Sequence, residues 1–84
     1  MLIHVCSKHI KAGKRELGNL CPVALAIKEQ AGVNGVLVGW NSIVAGYSNI
    51  KYHCPRNVKN FVRDFDFKGK KFVKPFSFIL KEIL

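Results

Sequence analysis

Val58, Phe61, Val62 and Phe65 stand at i, i+3, i+4 and i+7, a spacing that puts four large apolar side chains on one face of an α-helix. The helix is predicted over residues 55–66, with Pro55 in the first turn, where a missing N–H leaves no bond unmade. Arg56, Lys59, Asn60 and Arg63 take the other directions, so the helix has an apolar side for a core and a cationic side for solvent.

The remaining pattern divides into short pieces. Leu2 to Cys6 alternates, with Ile3 and Val5 facing one way, and predicts a strand with one buried face. Ser7 caps a brief helical turn through Ile10, which Gly13 ends, and Lys11 to Asn19 reads as an exposed loop. Cys21 to Gly32 is the first full helix: Pro22 suits its first turn, the alanines favour helix, and Gly32 suits the position just past the end. Its early part is apolar nearly all round, which predicts deep burial. Val36–Trp40, Ser42–Ala45 and Ile50–His53 read as strands separated by turn residues, a spacing suited to an antiparallel meander. After the second helix, residues 66–71 form a turn, residues 72–75 an extended arm, and Phe76–Leu80 a last strand paired with the first. Lys81 to Leu84 is a tail. All six phenylalanines lie between positions 61 and 78, so the C-terminal half is expected to supply most of the large core side chains.

The order β-α-β-β-β-α-β predicts a single α+β domain over residues 1–84, a small, mainly antiparallel sheet with two helices packed on one face. The other face of the sheet must then be polar or be covered by a second copy of the chain, as in a homodimer. Eighty-four residues bury only about 60–65% of the unfolded surface, so partner contacts weigh heavily in the stability of such a chain. No apolar run approaches the roughly 18 residues of a membrane span. Residues 1–8 lack the basic start and long apolar region of a signal peptide, and the expected location is the cytoplasm.

Charge sharpens the picture. Fourteen basic and five acidic residues give +9, which favours an acidic partner. Residues 1–50 hold five basic and two acidic groups, and residues 51–84 hold nine and three, so the C-terminal part is the more cationic. Arg56, Lys59 and Arg63 run along the second helix, and Lys68, Lys70, Lys71 and Lys74 follow it, interleaved with Phe67, Phe72 and Phe76. These seven cations are the candidate partner-binding residues, for an acidic protein surface or for nucleic acid, where aromatics among lysines stack on unpaired bases. Lys8, Lys11, Lys14 and Arg15 form another basic group near the N-terminus.

Reactive chemistry has little to stand on. Gly-x-Ser-x-Gly, the P-loop and the dinucleotide glycine fingerprint are all missing, so no catalytic residue is assigned and the expected protein is not an enzyme. Cys6, Cys21 and Cys54 are odd in number and without disulfide spacing, which reads as three reduced thiols. Cys21 and Cys54 each precede a proline at a helix start, where the dipole lowers a thiol pKa, and this supports an alternative reading as a thiol protein. His4, Cys6, His9, Cys21, His53 and Cys54 are the only residues for a zinc version of it, and they lack finger or ribbon spacing. No metal or cofactor is assigned.

Cys21-Pro22-Val23-Ala24-Leu25-Ala26, the helix ending Phe65-Asp66, Gly69, and Pro75-Phe76-Ser77-Phe78-Ile79-Leu80 together carry a resemblance. The pattern resembles a group of small uncharacterised proteins encoded by phages and bacteria, in which a strand such as Ile3-His4-Val5 precedes the Cys-Pro helix. The resemblance covers about residues 3–80 and consists of packing motifs, so it transfers no functional residue. It implies a phage or mobile-element accessory protein of the sort that binds a host protein, for example to block a defence system. The heavy lysine load and Phe67-Lys68 before the glycine depart from that pattern. The expected function is therefore non-enzymatic binding of an acidic macromolecular surface, with nucleic-acid binding by the same residues as the alternative.

Overall fold

In the computed structural model, which describes residues 1–83, Ile3 and Val5 turn inward from the first strand, β1 (Leu2–Val5), and Leu2 and His4 turn outward. β1 pairs antiparallel with the last strand, β5 (Phe76–Ile79), with Leu2 opposite Ile79 and His4 opposite Ser77. Leu80 N–H donates to Met1 O at 2.7 Å, and the Met1 ammonium donates to Leu80 O at 3.0 Å. Counting from that mutually bonded pair, the backbone groups of His4 and Ser77 point away from each other. Both outer edges are taken up there. The Gln30 side-chain amide accepts from His4 N–H at 2.7 Å and donates to His4 O at 2.6 Å, and Asn57 Nδ2 donates to Ser77 O at 3.2 Å. A two-stranded ribbon is marginal alone. Here a helix side chain stitches down each edge, which also removes an open pairing surface.

The other strands form a second sheet, β2 (Leu37–Val38), β3 (Ser42–Ala45) and β4 (Ile50–His53), in that order and antiparallel throughout. The single sheet expected from the sequence is thus divided in two. The division falls at Leu80, which spends both backbone groups on Met1. Beyond it, residues 81–83, read as a tail, lie along β4: His53 N–H donates to Lys81 O at 2.8 Å and Ile83 N–H to Lys51 O at 2.9 Å. β2 is shorter than the predicted Val36–Trp40 because Gly39 N–H turns to Ser42 O at 3.0 Å and begins the turn that carries Trp40.

Three helices accompany the sheets: α1 (Ser7–Ala12), α2 (Pro22–Ala31) and α3 (Arg56–Lys68). α1 is capped by Cys6, not by Ser7. His9 curls back so that Nδ1 accepts the Cys6 N–H at 2.8 Å, doing what a glutamate does in a capping box. Nε2 of the buried ring faces Glu29 Oε1 at 3.3 Å. Pro22 sits in the first turn of α2, and Gly32 (φ 65°) follows its end in the left-handed conformation, as predicted. α2 packs on α1, β1 and β2, so this helix stands beneath both sheets.

One glycine makes that arrangement sterically feasible. A Cβ on Gly13 would lie 2.6 Å from the ring carbons of Pro22. The ring is rigid and fixed in the first turn of α2, so neither partner can give way. Gly13→Ala is expected to cost about 1–3 kcal/mol, as overpacking does, measured by urea unfolding against wild type.

α3 buries Val58, Phe61 and Phe65 and half-buries Val62, as the periodicity requires. Pro55 is its cap and not its first residue, and the helix runs to Lys68, two residues past the expected end, because the residue that stops it is Gly69 (φ 97°). The rings of Phe61 and Phe65 lie 6.1 Å apart, Phe61 and Phe76 4.7 Å, and Phe76 and Phe78 5.9 Å, an aromatic chain joining α3 to β5. Not all phenylalanines are core: Phe67 is 67% exposed and Phe72 65%.

Candidate functional site

Arg56, Asn60, Arg63 and Phe67 follow one another at i, i+4, i+7 and i+11, so they form a single line on α3 opposite the buried Val58 and Phe65. All four are exposed. Lys59 is half-buried on one flank of that line, beside Val62 and Asp66. Asp64 and Lys68 occupy the other flank. Arg63 Nε lies 3.5 Å and Lys68 Nζ 3.8 Å from the same Asp64 oxygen. Both contacts are long and solvent-exposed, so they offset little of the charge. No carboxylate lies within ion-pair distance of Lys59 or Arg56 among the described residues.

The seven predicted cations do not form one patch. Arg56, Lys59, Arg63 and Lys68 belong to α3. Lys68, expected in a loop, is the last helical residue. Lys74 borders a shallow groove over Asn57, Asn60, Phe61 and Asp64. Lys70 and Lys71 lie on a 3-10 turn (Lys70–Phe72) and face α1, where Ser7, Ile10 and Lys11 complete a different groove.

A cleft of about 300 Å³ lies beside the α3 line and was not legible from the sequence. Cys21, Val38 and Val62 line its interior, and the exposed Leu17, Trp40 and Phe67 surround it. Three distant segments build it: the loop before α2, the turn between β2 and β3, and the last turns of α3. The loop is fastened at Asp66, whose carbonyl accepts from Arg15 Nε at 2.8 Å and whose carboxylate accepts from Glu16 N–H at 2.9 Å. Glu16 is held there in the left-handed conformation (φ 62°), which is uncommon for a residue with a side chain. Two local signals pointed this way. Phe67 falls off the apolar stripe of α3, and Trp40 stands between Gly39 and Asn41, at a turn.

The thiols do not behave as their position at helix starts suggests. Cys21 caps α2, whereas Cys54 stands one residue before the cap of α3, so the two Cys-Pro pairs are not equivalent. Both are buried. Burial pushes the Cys21 thiol above its ordinary pKa, against the lowering effect of the Ala24 and Val23 N–H groups. Burial likewise raises Cys54, against the opposing pull of Lys59. Desolvation therefore outweighs the helix-end N–H groups at Cys21 and the Lys59 charge at Cys54. Cys6 is exposed, but His9 Nδ1 is committed to the Cys6 backbone N–H and not to its thiol, so the order Cys6, His9, Glu29 forms a cap and not an activated nucleophile. Among the described residues, no group of His, Cys, Asp and Glu converges as a metal site, and no helix is long and apolar enough to cross a membrane.

Comparison of the chain with protein-family models, curated proteins and solved structures finds no match.

Proposed function

We propose that this chain is a non-enzymatic binding protein that docks an acidic macromolecular surface against the exposed side of α3 and the turn that follows. The observation that carries this reading is the line Arg56, Asn60, Arg63 and Phe67, cationic groups around an exposed aromatic on a helix whose opposite side is anchored in the core. Aromatic and arginine side chains are the usual energetic centres of protein interfaces, and uncompensated positive charge speeds encounter with an acidic partner. A rigid helix holds these groups in place, so little ordering is needed on binding. In the context implied by the phage resemblance, the partner is a host protein, such as a component of a defence system.

The test is capture of the partner from lysate of the host, with nucleases present, by wild type and by Arg56→Glu/Arg63→Glu. The double variant leaves the core untouched and is expected to lose at least about a hundredfold in affinity, since each reversal replaces attraction with repulsion. Equal capture by both proteins sinks the reading.

Exposed Phe67 and Phe72 among Lys68, Lys70 and Lys71 support a second reading, single-stranded nucleic acid with bases stacked on the rings. It requires a gel shift at low salt that weakens steeply as salt rises, and it falls if no shift is seen.

A further inference from the structure

We infer that the groove between α1 and residues 70–75 seats a phosphate ester, with its phosphate among Lys11, Lys70 and Lys71. This rests on the reading of the basic surface as an anion-binding one, and it adds the ligand chemistry. Ser7, Ile10 and Lys11 share one face of α1 at i, i+3 and i+4, and that face looks onto Lys70, Lys71, Val73 and Pro75. Three lysines and one serine thus line a single concavity, and no acidic residue lines it. Lys11, Lys70 and Lys71 take part in none of the ion pairs of the described residues. Lys70 is not free to wander, because its Nζ donates to Lys11 O. Three lysines from two distant segments therefore share one groove with no acidic residue in its lining, which favours an anion there.

The chemistry of the donors selects the anion. Lysines bind phosphate as compact point charges, and the double charge of a phosphate monoester attracts three of them more strongly than the single charge of a carboxylate does. The size selects what carries it. The groove holds about 270 Å³, several times the volume of one phosphate group, and Ile10, Val73 and Pro75 make the remainder apolar. A nucleotide unit, ionic at one end and flat and weakly polar at the other, fits both halves. It can arrive as a free mononucleotide or as one residue of a single strand.

The experiment follows backbone amide shifts and the thermal midpoint of the full chain during titration with adenosine monophosphate and, separately, short oligothymidylate. Adenosine and polyglutamate serve as comparisons. Saturable shifts at Ser7, Lys11 and Lys71, with a raised midpoint, are expected for at least one phosphate ester, and neither effect for adenosine or polyglutamate. Response to the mononucleotide assigns a free ester, and response to the strand alone assigns a phosphodiester. Lys11→Gln and Lys71→Gln are each expected to weaken binding about tenfold, the worth of one charge-assisted contact. Lys51→Gln, another exposed lysine outside the groove, is expected to leave it unchanged. The proposal is overturned if neither ester binds, if polyglutamate binds equally, or if Lys51→Gln costs as much as Lys11→Gln, since only net charge would then be at work. Arg56→Glu/Arg63→Glu separates the two readings, because it removes partner capture while leaving ester binding in place.

Discussion

Phe65→Ala is expected to remove about 3–5 kcal/mol, a large share of the roughly 5–10 kcal/mol that holds a domain of this size folded. Phe65 is the largest fully buried side chain, and its ring stacks on Phe61, which in turn meets Phe76 on β5. Truncation opens a cavity between helix and strand that neither backbone can close, because α3 is stopped at Gly69 and β5 is held in register by β1. The thermal midpoint should fall by at least about 12 °C. Phe67→Ala, two residues on and exposed, is expected to stay within about 0.5 kcal/mol. Calorimetry on both variants decides the point: similar losses would mean that α3 does not face the core as described.

The second large effect is kinetic. In the native protein Cys21 should react with a thiol reagent roughly a thousandfold more slowly than Cys6, since a thiol 2% exposed reacts only when the structure around it opens. Mass spectrometry of a timed alkylation reads this directly, and comparable rates would overturn the burial of the α2 start. The same burial carries a pH dependence. The folded thiol has a raised pKa, so it keeps its proton where the unfolded chain releases it. Its contribution to stability is complete below the unfolded value, about 8.5, and declines as the pH climbs from there toward the raised folded value. Urea midpoints measured from neutral pH to about pH 9.5 should fall for wild type, and less for Cys21→Ala.

Much of this architecture was readable in the amino-acid order, and the physical basis differs from element to element. Ser42–Ala45 and Ile50–His53 match the predicted strands residue for residue, because Gly46 and Asn49 confine the pieces between them. The body of α2 followed from helix formers between Pro22 and Gly32. The inward side of α3 followed from its 3.6-residue period. The end of α3 was missed because polar Asp66 and exposed Phe67 look like the start of a turn, whereas the backbone stays helical until Gly69 takes a positive φ (97°) that a residue with a side chain rarely adopts. The six phenylalanines were expected to supply most of the large core side chains, but residue type does not say which side of a turn a ring occupies, and Phe67 and Phe72 are exposed.

The candidate sites were legible only as ingredients. Lys70 and Lys71 were recognisable as basic residues after α3, but their meeting with Lys11 joins positions about sixty apart in the chain. The cleft beside Trp40 likewise needs Asp66 to fasten Glu16. The order of residues by itself determined which segments coil, which extend and which side of each is oily, because those preferences arise between neighbours a few positions apart. Tertiary structure alone decided that the strands divide into two sheets, that residues 81–83 join β4, and that lysines from opposite ends share one groove. Those outcomes depend on which distant backbone groups find one another, and no local period records that choice.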